Sequence, residues 1–133
     1  MNKGKWIAGA ALAGTLVAVI ASQPLFAQST KRIILQQADL TVPGREVVQG
    51  IAVLEPGSAS GRHTHPGEEV SYVLEGTLTL EVDGSPTKIY KAGDHFIIPA
   101  GQVHNGKNTS STTTRVLGTW IVEKGKPLAT PAK

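Results

Sequence analysis

The sequence predicts an all-β domain, and three observations support this. Beyond residue 32 the apolar residues fall in short runs, with no sustained period of 3.6 residues. Glycine, proline, aspartate and serine separate these runs. Along residues 77–82 apolar and polar side chains alternate, which is typical of a strand with one buried face. Several short strands joined by regular turns indicate a sandwich or a small barrel.

The length and composition fit a single domain of this kind. The chain has 133 residues, of which 40% are hydrophobic and 17% are charged. This is enough for one hydrophobic core and too little for two. Because the chain has no cysteine, disulfides and thiolate chemistry are excluded. Any site must therefore be built from nitrogen and oxygen ligands.

Residues 1–27 have the layout of a secretory signal peptide. A short basic start precedes an apolar run over residues 6–20, which is followed by a polar break and the small Ala27. The apolar run is shorter than the ~20 residues that span a bilayer as a helix. We expect cleavage after Ala27, or as a second choice after Ala21, and export to the periplasm or the exterior by the general secretory route. The domain would then be residues 28–133 with no stable membrane span, and a retained N-terminal anchor is the alternative.

The net charge does not support nucleic-acid binding. The chain carries 13 basic and 10 acidic residues, a net charge of +3. Lys3 and Lys5 lie in the predicted signal segment, and subtracting these two leaves 11 basic against 10 acidic residues. The longest basic run is Lys31-Arg32, so we exclude a nucleic acid as a partner.

The strands of the barrel are predicted from the apolar runs and the turns between them. Their ranges are 46–54, 69–75, 77–82, 87–90, 95–98 and 114–122. Turns are predicted at residues 43–44, 56–57, 83–84 and 92–94.

Two segments lie outside the predicted barrel. An isolated apolar run at residues 33–35 could pair with a second copy of the chain, so we expect a homodimer. From about residue 125 the tail is irregular, and it either straps the domain or hangs loose.

His63 and His65 are the first candidate site residues. Side chains two residues apart on an extended strand project from the same face, so both imidazoles can reach one ion. Pro66-Gly67 then breaks the strand, and Glu69 could approach from the neighbouring strand as an oxygen ligand. His104, just after the turn at residues 99–101, is the candidate for the fourth ligand.

These residues stand in a spacing that is similar to the two motifs of the cupin superfamily. The first motif, G-x5-H-x-H-x3-E-x6-G, is matched by Gly57, His63, His65, Glu69 and Gly76. The second, G-x5-P-x-G-x2-H-x3-N, is matched by Gly93, Pro99, Gly101, His104 and Asn108. The resemblance covers residues 57–108. It implies a single jelly-roll-like cupin β-barrel, with the three histidines and Glu69 lining its interior around a divalent metal.

Three imidazoles and one carboxylate suit a transition metal such as Mn, Fe, Co, Ni, Cu or Zn, and argue against Ca or Mg. On an octahedral ion they leave two positions open for an oxygen-containing substrate, water or O₂. Glu69 is then either a permanent ligand or a base that detaches to move a proton. For a chain that folds after export we expect mixed occupancy or Zn, Cu or Ni.

Three classes of function follow from such a site. We rank first a small metal-dependent enzyme similar to single-domain cupin dioxygenases, isomerases or lyases, with dioxygenase-like chemistry foremost and a small oxygenated molecule as substrate. A non-catalytic module that binds or senses a small ligand is the alternative. A structural metal protein comes last, because open coordination positions serve no purpose there.

Further polar residues are assigned relative to this site. Ser71 shares the strand face of Glu69 and either lines the pocket or bonds to nearby backbone, and Gln49 and Arg62 are weaker pocket candidates. Glu68 and Tyr72 are expected on the opposite face of the strand. The remaining expectations are an exposed or structural His95 and a turn capped by Asn108.

Overall fold

The computed structural model describes residues 27–28 and 30–133, and these residues form 12 strands without a helix. Accordingly, the described part of the chain contains no helix that is long and apolar enough to cross a membrane. The strands are β1 (Ala27–Gln28), β2 (Thr30–Asp39), β3 (Arg45–Leu54), β4 (Ser58–Ala59), β5 (His63–Thr64), β6 (Gly67–Glu75), β7 (Thr77–Val82), β8 (Lys88–Lys91), β9 (His95–Ile98), β10 (His104–Lys107), β11 (Thr114–Glu123) and β12 (Thr130–Pro131).

The strands form two sheets, which we call sheet I and sheet II. Sheet I has the order β1-β4-β10-β5-β12, with β7 pairing both β10 and β8. Sheet II has the order β2-β3-β11-β6-β9. Apart from the parallel pair β1 and β4, the pairings among the described strands are antiparallel. This architecture confirms the predicted all-β, jelly-roll-like barrel.

The core lies between the two sheets, because each sheet buries one face of its strands. Strand β11 buries every second residue along its ten positions. The larger apolar cluster takes residues from both sheets: Leu54, Val73, Leu78, Leu80, Phe96, Ile98 and Val116. A smaller cluster contains Val48, Trp120 and Val122, with Leu128 packed against it.

The six strands predicted for the barrel are all present, each within two residues of its predicted bounds. The turns between them depend on glycine. At Gly76, between β6 and β7, φ is 77°, and a Cβ atom would lie 2.5 Å from the backbone oxygen of Thr113. Only glycine combines that conformation with so close a contact, which explains why a glycine ends the first motif.

Residues 33–35 do not form an isolated segment, which corrects the expectation from the sequence. They belong to β2, which pairs antiparallel with β3 of the same chain from Thr30 to Asp39. The register shifts between Ile34 and Gln36, where the ladder is irregular. Strand β2 pairs within its own chain and is not exchanged with a second copy. The structure therefore gives no support for the expected homodimer.

The predicted signal segment lies outside the described residues, except for Ala27. This residue belongs to β1 and pairs with Ser58 of β4. Cleavage after Ala27 would remove it from β1, whereas cleavage after Ala21 would leave β1 whole. Export and the cleavage site stay predictions.

The tail beyond residue 125 forms a strap across one end of the barrel. Strand β12 pairs with β5, and the backbone nitrogen of Ala132 donates to the carbonyl of Arg62 at 2.9 Å. Leu128 packs on the smaller apolar cluster. Of the two expectations for this tail, the strap is the one found.

Candidate metal centre

Three histidines meet inside the barrel where β5 and β10 pair. His104 lies opposite His63 in the ladder, and His65 directly follows β5. The ring centroid of His63 is 4.3 Å from that of His104 and 4.8 Å from that of His65. All three side chains are buried, and their ligand atoms lie within 4.8 Å of one another. The fold thus brings together three imidazoles that the sequence places up to 41 positions apart.

A backbone carbonyl fixes the orientation of each ring. The three hydrogen bonds are His63 Nδ1 to Gly61 O at 2.7 Å, His65 Nδ1 to Leu128 O at 2.5 Å, and His104 Nδ1 to Gln102 O at 2.9 Å. A carbonyl oxygen can only accept, so Nδ1 carries the hydrogen in each ring, and a neutral ring keeps a lone pair on Nε2. This arrangement is typical of histidines that bind a metal through Nε2.

Glu69 of β6 lies beside two of the three rings. Its Oε2 atom is 3.0 Å from His65 Nε2 and 3.3 Å from His104 Nε2. Its Oε1 atom accepts a hydrogen bond of 2.6 Å from Ser71 Oγ. The predicted common face of Glu69 and Ser71 is therefore confirmed, and the hydroxyl of Ser71 bonds to the carboxylate of Glu69.

The pKa values favour a charged carboxylate beside a neutral ring. Burial by itself would raise the pKa of Glu69, but contacts in which a protonated Nε2 of His104 or His65 donates to the carboxylate, together with the hydrogen bond from Ser71, outweigh burial and hold this pKa below its usual range. Burial lowers the pKa of His63 to about 4. Near neutral pH, Glu69 is therefore ionised and His63 is uncharged.

The contacts of Glu69 lack positive charge when the rings are neutral. In that state the Nε2 atoms of His65 and His104 and the Oε2 atom of Glu69 are all acceptors, although they lie at hydrogen-bond distance. A proton on a ring or a metal ion must supply the missing charge. A metal with ligands at about 2.0–2.2 Å separates neighbouring ligand atoms by roughly 2.8 Å in octahedral geometry to roughly 3.6 Å in tetrahedral geometry. The two measured contacts fall in that range, so this donor set fits a divalent transition metal.

Trp120 is a site residue that sequence reasoning missed. Its Nε1 atom lies 3.0 Å from Glu69 Oε2, to which it donates, and 3.1 Å from His65 Nε2. The available signal was strand parity, which places Trp120 on the same inward face as Val122. A Cβ atom at Gly118 would lie 2.6 Å from the indole ring, so the glycine leaves room for it.

Arg32 of β2 is a second residue that was missed. Its Cζ atom lies 5.0 Å from the centroid of the Trp120 ring, which is a cation–π contact. Burial lowers the pKa of Arg32, whereas the charge of Glu69 acts in the opposite direction. The sequence pattern sets residues 33–35 apart from the barrel, so it does not indicate that the side chains just before them lie in the interior.

A cavity of about 50 Å³ adjoins the histidines. Its polar wall contains the three histidines, Glu69, Thr30 and Arg32, and its apolar wall contains Leu54, Leu78, Leu80, Phe96 and Val116. A wider pocket of about 370 Å³ is lined by Thr30, Arg32, Ser60 and His63 as well as by residues 129 and 131–132 of the tail. Since four lining residues are common to both, the wider pocket is the mouth of the cavity.

The remaining polar candidates lie outside the cavity. Glu68, Tyr72 and His95 are exposed, as predicted. Gln49, a weaker pocket candidate, is on the outer face of sheet II and not in the cavity, and it donates to Thr119 Oγ1 at 3.0 Å. Arg62 is exposed at the mouth and pairs with Asp83 at 2.8 Å.

The turn predicted to be capped by Asn108 is confirmed. The Oδ1 atom of Asn108 accepts a hydrogen bond of 3.0 Å from the backbone nitrogen of Ser110.

Curated proteins that resemble this chain match it over one segment, and each of them is longer than that segment. Germin-like protein 5-1 from Oryza sativa subsp. japonica is 37% identical over 67 residues, which are 47% of this chain and 30% of the relative. The oxalate-binding protein of Thermotoga maritima is 37% identical over 70 residues, which are 52% of this chain and 57% of the relative. The matched segments thus span less than two thirds of these relatives.

Comparison with solved structures supports the fold. A protein with a double-stranded β-helix domain from Klebsiella pneumoniae gives a TM-score of 0.63 at 18% identity, over 82% of this chain and 99% of that chain. Oxalate decarboxylase also gives a TM-score of 0.63, at 22% identity, over 83% of this chain and 30% of that chain. The family model described as the cupin domain matches residues 50–122, more than half of the sequence. With the double-sheet barrel and the three-histidine site, this match shows that the chain belongs to the cupin superfamily.

Proposed function

We propose that this chain is an exported, metal-dependent cupin enzyme of the bacterial cell envelope that acts on a small oxygenated molecule. The observation that carries this proposal is the cluster of acceptors inside the barrel. The Nδ1 atoms of His63, His65 and His104 are all committed to carbonyl oxygens, and the ionised Glu69 contacts two of these rings. A divalent cation is the partner that such a cluster lacks.

His63, His65, His104 and Glu69 would hold the metal. When bound, a transition metal of this kind polarises an oxygen-containing ligand and stabilises negative charge on it. The apolar wall formed by Leu78, Phe96 and Val116 excludes water from one side of the cavity. The metal itself is one of Mn, Fe, Co, Ni, Cu or Zn.

Glu69 suits the role of a fixed ligand better than that of a mobile base. Ser71 donates to one carboxylate oxygen and Trp120 to the other, which restrains the group. A carboxylate with a lowered pKa is also a weak base. We therefore assign to Glu69 a permanent place among the ligands.

The activities of proteins that resemble this chain support a small oxygenated substrate. Related folds at 21–24% identity include DMSP lyase DddQ from Ruegeria pomeroyi, oxalate oxidase in complex with glycolate and oxalate decarboxylase. The oxalate-binding protein of Thermotoga maritima is a relative by sequence. A cavity of about 50 Å³ admits only a few non-hydrogen atoms, since a single water needs roughly 10–15 Å³ by this measure.

Metal binding is tested by calorimetric titration of the metal-free protein with Zn²⁺ and Mn²⁺. We expect His104→Ala to weaken the affinity by roughly 100-fold or more, because losing even a residue that supports a ligand costs 10–100-fold. His95→Ala is the matched control, since His95 is exposed and outside the cluster. Equal affinities of the wild type and His104→Ala would contradict the metal site.

Turnover is tested by adding small diketones, oxalate and glycolate, which a cavity of this size can admit, to the metal-loaded protein. O₂ uptake reports oxygenase chemistry, and NMR analysis of the products reports isomerase or lyase chemistry. We expect at least one of these compounds to be consumed faster by the wild type than by His104→Ala. If compounds bind and none is converted, the enzyme proposal is wrong for this set of substrates.

The second candidate is a non-catalytic module that binds or senses a small ligand. A specific match favours it, because the transcriptional regulator PuuR of Escherichia coli is 33% identical over 76 residues, 40% of its length. Ligand binding without product in the assay above would support this candidate over the enzyme.

Export is tested by the mass of the mature protein from a bacterial host. We expect the chain in the periplasmic or extracellular fraction, starting at residue 28 or 22. An intact N-terminus in the membrane fraction would instead support the retained anchor.

A further inference from the structure

Two polar atoms at the mouth of the cavity lack a hydrogen-bond partner. They are Thr30 Oγ1 and Arg32 Nε, both buried and without a partner among the described residues. Both residues line the cavity and its mouth. Buried polar groups in native proteins are normally paired, and an unpaired group commonly marks the position of a water or a ligand.

The neighbouring strand cannot supply these partners. In the ladder between β2 and β3, Thr30 lies opposite Leu54 and Arg32 lies opposite Ala52, both apolar residues. Trp120 contacts the guanidinium of Arg32 through the face of its ring. The ring fixes the cation in place and leaves its Nε hydrogen unused.

The charge at this position favours an anionic group. Arg32 contributes one positive charge close to the cluster, and Glu69 contributes one negative charge that Arg32 senses. With a divalent metal in place, the metal, Arg32 and Glu69 together would carry a net charge of about +2. The planar fork of an arginine matches a carboxylate with two parallel hydrogen bonds, and the hydroxyl of Thr30 adds a third polar group.

We propose that Arg32 and Thr30 form a recognition site for the carboxylate of a small ligand. The other end of this ligand lies at the histidine cluster, a step that rests on the proposed function. The substrate class is therefore narrowed to small carboxylates that carry a second oxygen donor, such as a hydroxyl or another carboxylate.

Binding of glycolate and glycolamide to the zinc-loaded chain tests the proposal. The two compounds share a hydroxyl group and a carbonyl oxygen, but only glycolate is an anion. Calorimetry gives the affinities. In a Trp6→Phe background Trp120 is the only tryptophan. Because Trp120 contacts Arg32, a change in its fluorescence reports that the compound binds beside Arg32.

We expect the wild type to bind glycolate roughly 10- to 100-fold more tightly than glycolamide, as for a charge-assisted pair of hydrogen bonds. Arg32→Gln should remove most of this preference, Arg32→Lys should retain more of it, and Thr30→Val should reduce it several-fold. Lys31→Gln is the matched control, because it removes the same charge from the exposed face of β2 and should leave the preference intact.

Three results would overturn the proposal. They are equal affinities of the wild type for the two compounds, a preference for glycolate that is undiminished in Arg32→Gln, and tighter binding of inorganic phosphate than of glycolate. A zinc titration of the same variants separates this proposal from the proposed function. Arg32→Gln should retain zinc binding, whereas failure of the metal site appears as equal zinc affinity in the wild type and His104→Ala.

Discussion

Trp120 connects the metal centre to the core. Its ring packs in the smaller apolar cluster, and its Nε1 hydrogen reaches Glu69 and His65. Residues that orient metal ligands in this way contribute to affinity without touching the metal. The indole therefore couples packing of the core to the position of the carboxylate.

Replacing Trp120 with phenylalanine tests this coupling. The variant keeps an aromatic ring but loses the donor, so we expect metal affinity to fall by roughly 10- to 100-fold. Calorimetric titration with Zn²⁺ measures the change, with Tyr72→Phe on the exposed face as the control. Unchanged affinity in Trp120→Phe would show that the indole does not position Glu69.

His63 makes the stability of the metal-free protein depend on pH. Burial lowers its pKa to about 4, below the ordinary value of 6.5. As the pH falls below 6.5 the unfolded chain binds a proton that the folded protein does not bind until about pH 4. We therefore expect the free energy of unfolding to decrease across this window, by at most about 1.4 kcal/mol per pH unit for this one group.

Urea unfolding of the metal-free protein from pH 7 to pH 4 measures this dependence. His63→Asn should have a shallower dependence than the wild type, whereas His95→Asn should not differ from it. The same slope in His63→Asn and in the wild type would mean that His63 is not buried as a neutral ring.

The motif residues of the site could be predicted from the sequence, because their spacing on strands determines which side chains share a face. Ser71 was placed beside Glu69 by the same alternation. Trp120 and Arg32 could not be assigned in this way. Their contacts depend on which strands of sheet II are neighbours, and that pairing is set by packing over long sequence separations.

Among the structural elements, the tail strap contributes most directly to the site. The carbonyl of Leu128 accepts the hydrogen of His65 Nδ1, and its side chain packs near Trp120 and Val48. Strand β12 holds this carbonyl in place by pairing with β5. The strap thereby selects the tautomer of His65.

Leu128→Ala should weaken both the strap and the site. Loss of a partly buried leucine side chain is expected to lower the free energy of unfolding by about 1–2 kcal/mol, and metal affinity should fall with it. Leu35→Ala, at a position with 52% exposure, should change stability by less than about 0.5 kcal/mol. Urea unfolding and zinc titration measure both effects, and a Leu128→Ala variant equal to the wild type in each would exclude this role.

Strand β2 is an element of the barrel that the apolar pattern of the sequence does not predict. Residues 30–35 alternate imperfectly, because apolar side chains occupy both faces, and the register irregularity between Ile34 and Gln36 reverses the parity. The six strands with clear alternation or strong turn signals were predicted correctly. For β2 only its pairing with β3 defines which face is inside.

At the scale of the whole molecule, the proposed ligands come from both sheets. His63 and His104 lie in sheet I, and Glu69 lies in sheet II. A metal bound to this set would therefore bind the folded state and not the unfolded chain. Such a ligand at 100 times its Kd stabilises the fold by about 2.7 kcal/mol.

Thermal unfolding with and without Zn²⁺ measures this linkage. We expect saturating Zn²⁺ to raise the Tm of the wild type and of His95→Ala by several degrees, and to leave the Tm of His104→Ala nearly unchanged. An identical response of all three proteins to Zn²⁺ would indicate binding elsewhere on the molecule.

The central claim is that three imidazoles and one carboxylate share a single metal ion inside the barrel. Anomalous diffraction from crystals grown with Zn²⁺ tests it most directly. We predict one strong peak within about 2.0–2.1 Å of the Nε2 atoms of His63, His65 and His104 and at bonding distance from Glu69. A peak confined to surface residues, or no peak between the three rings, would contradict the account.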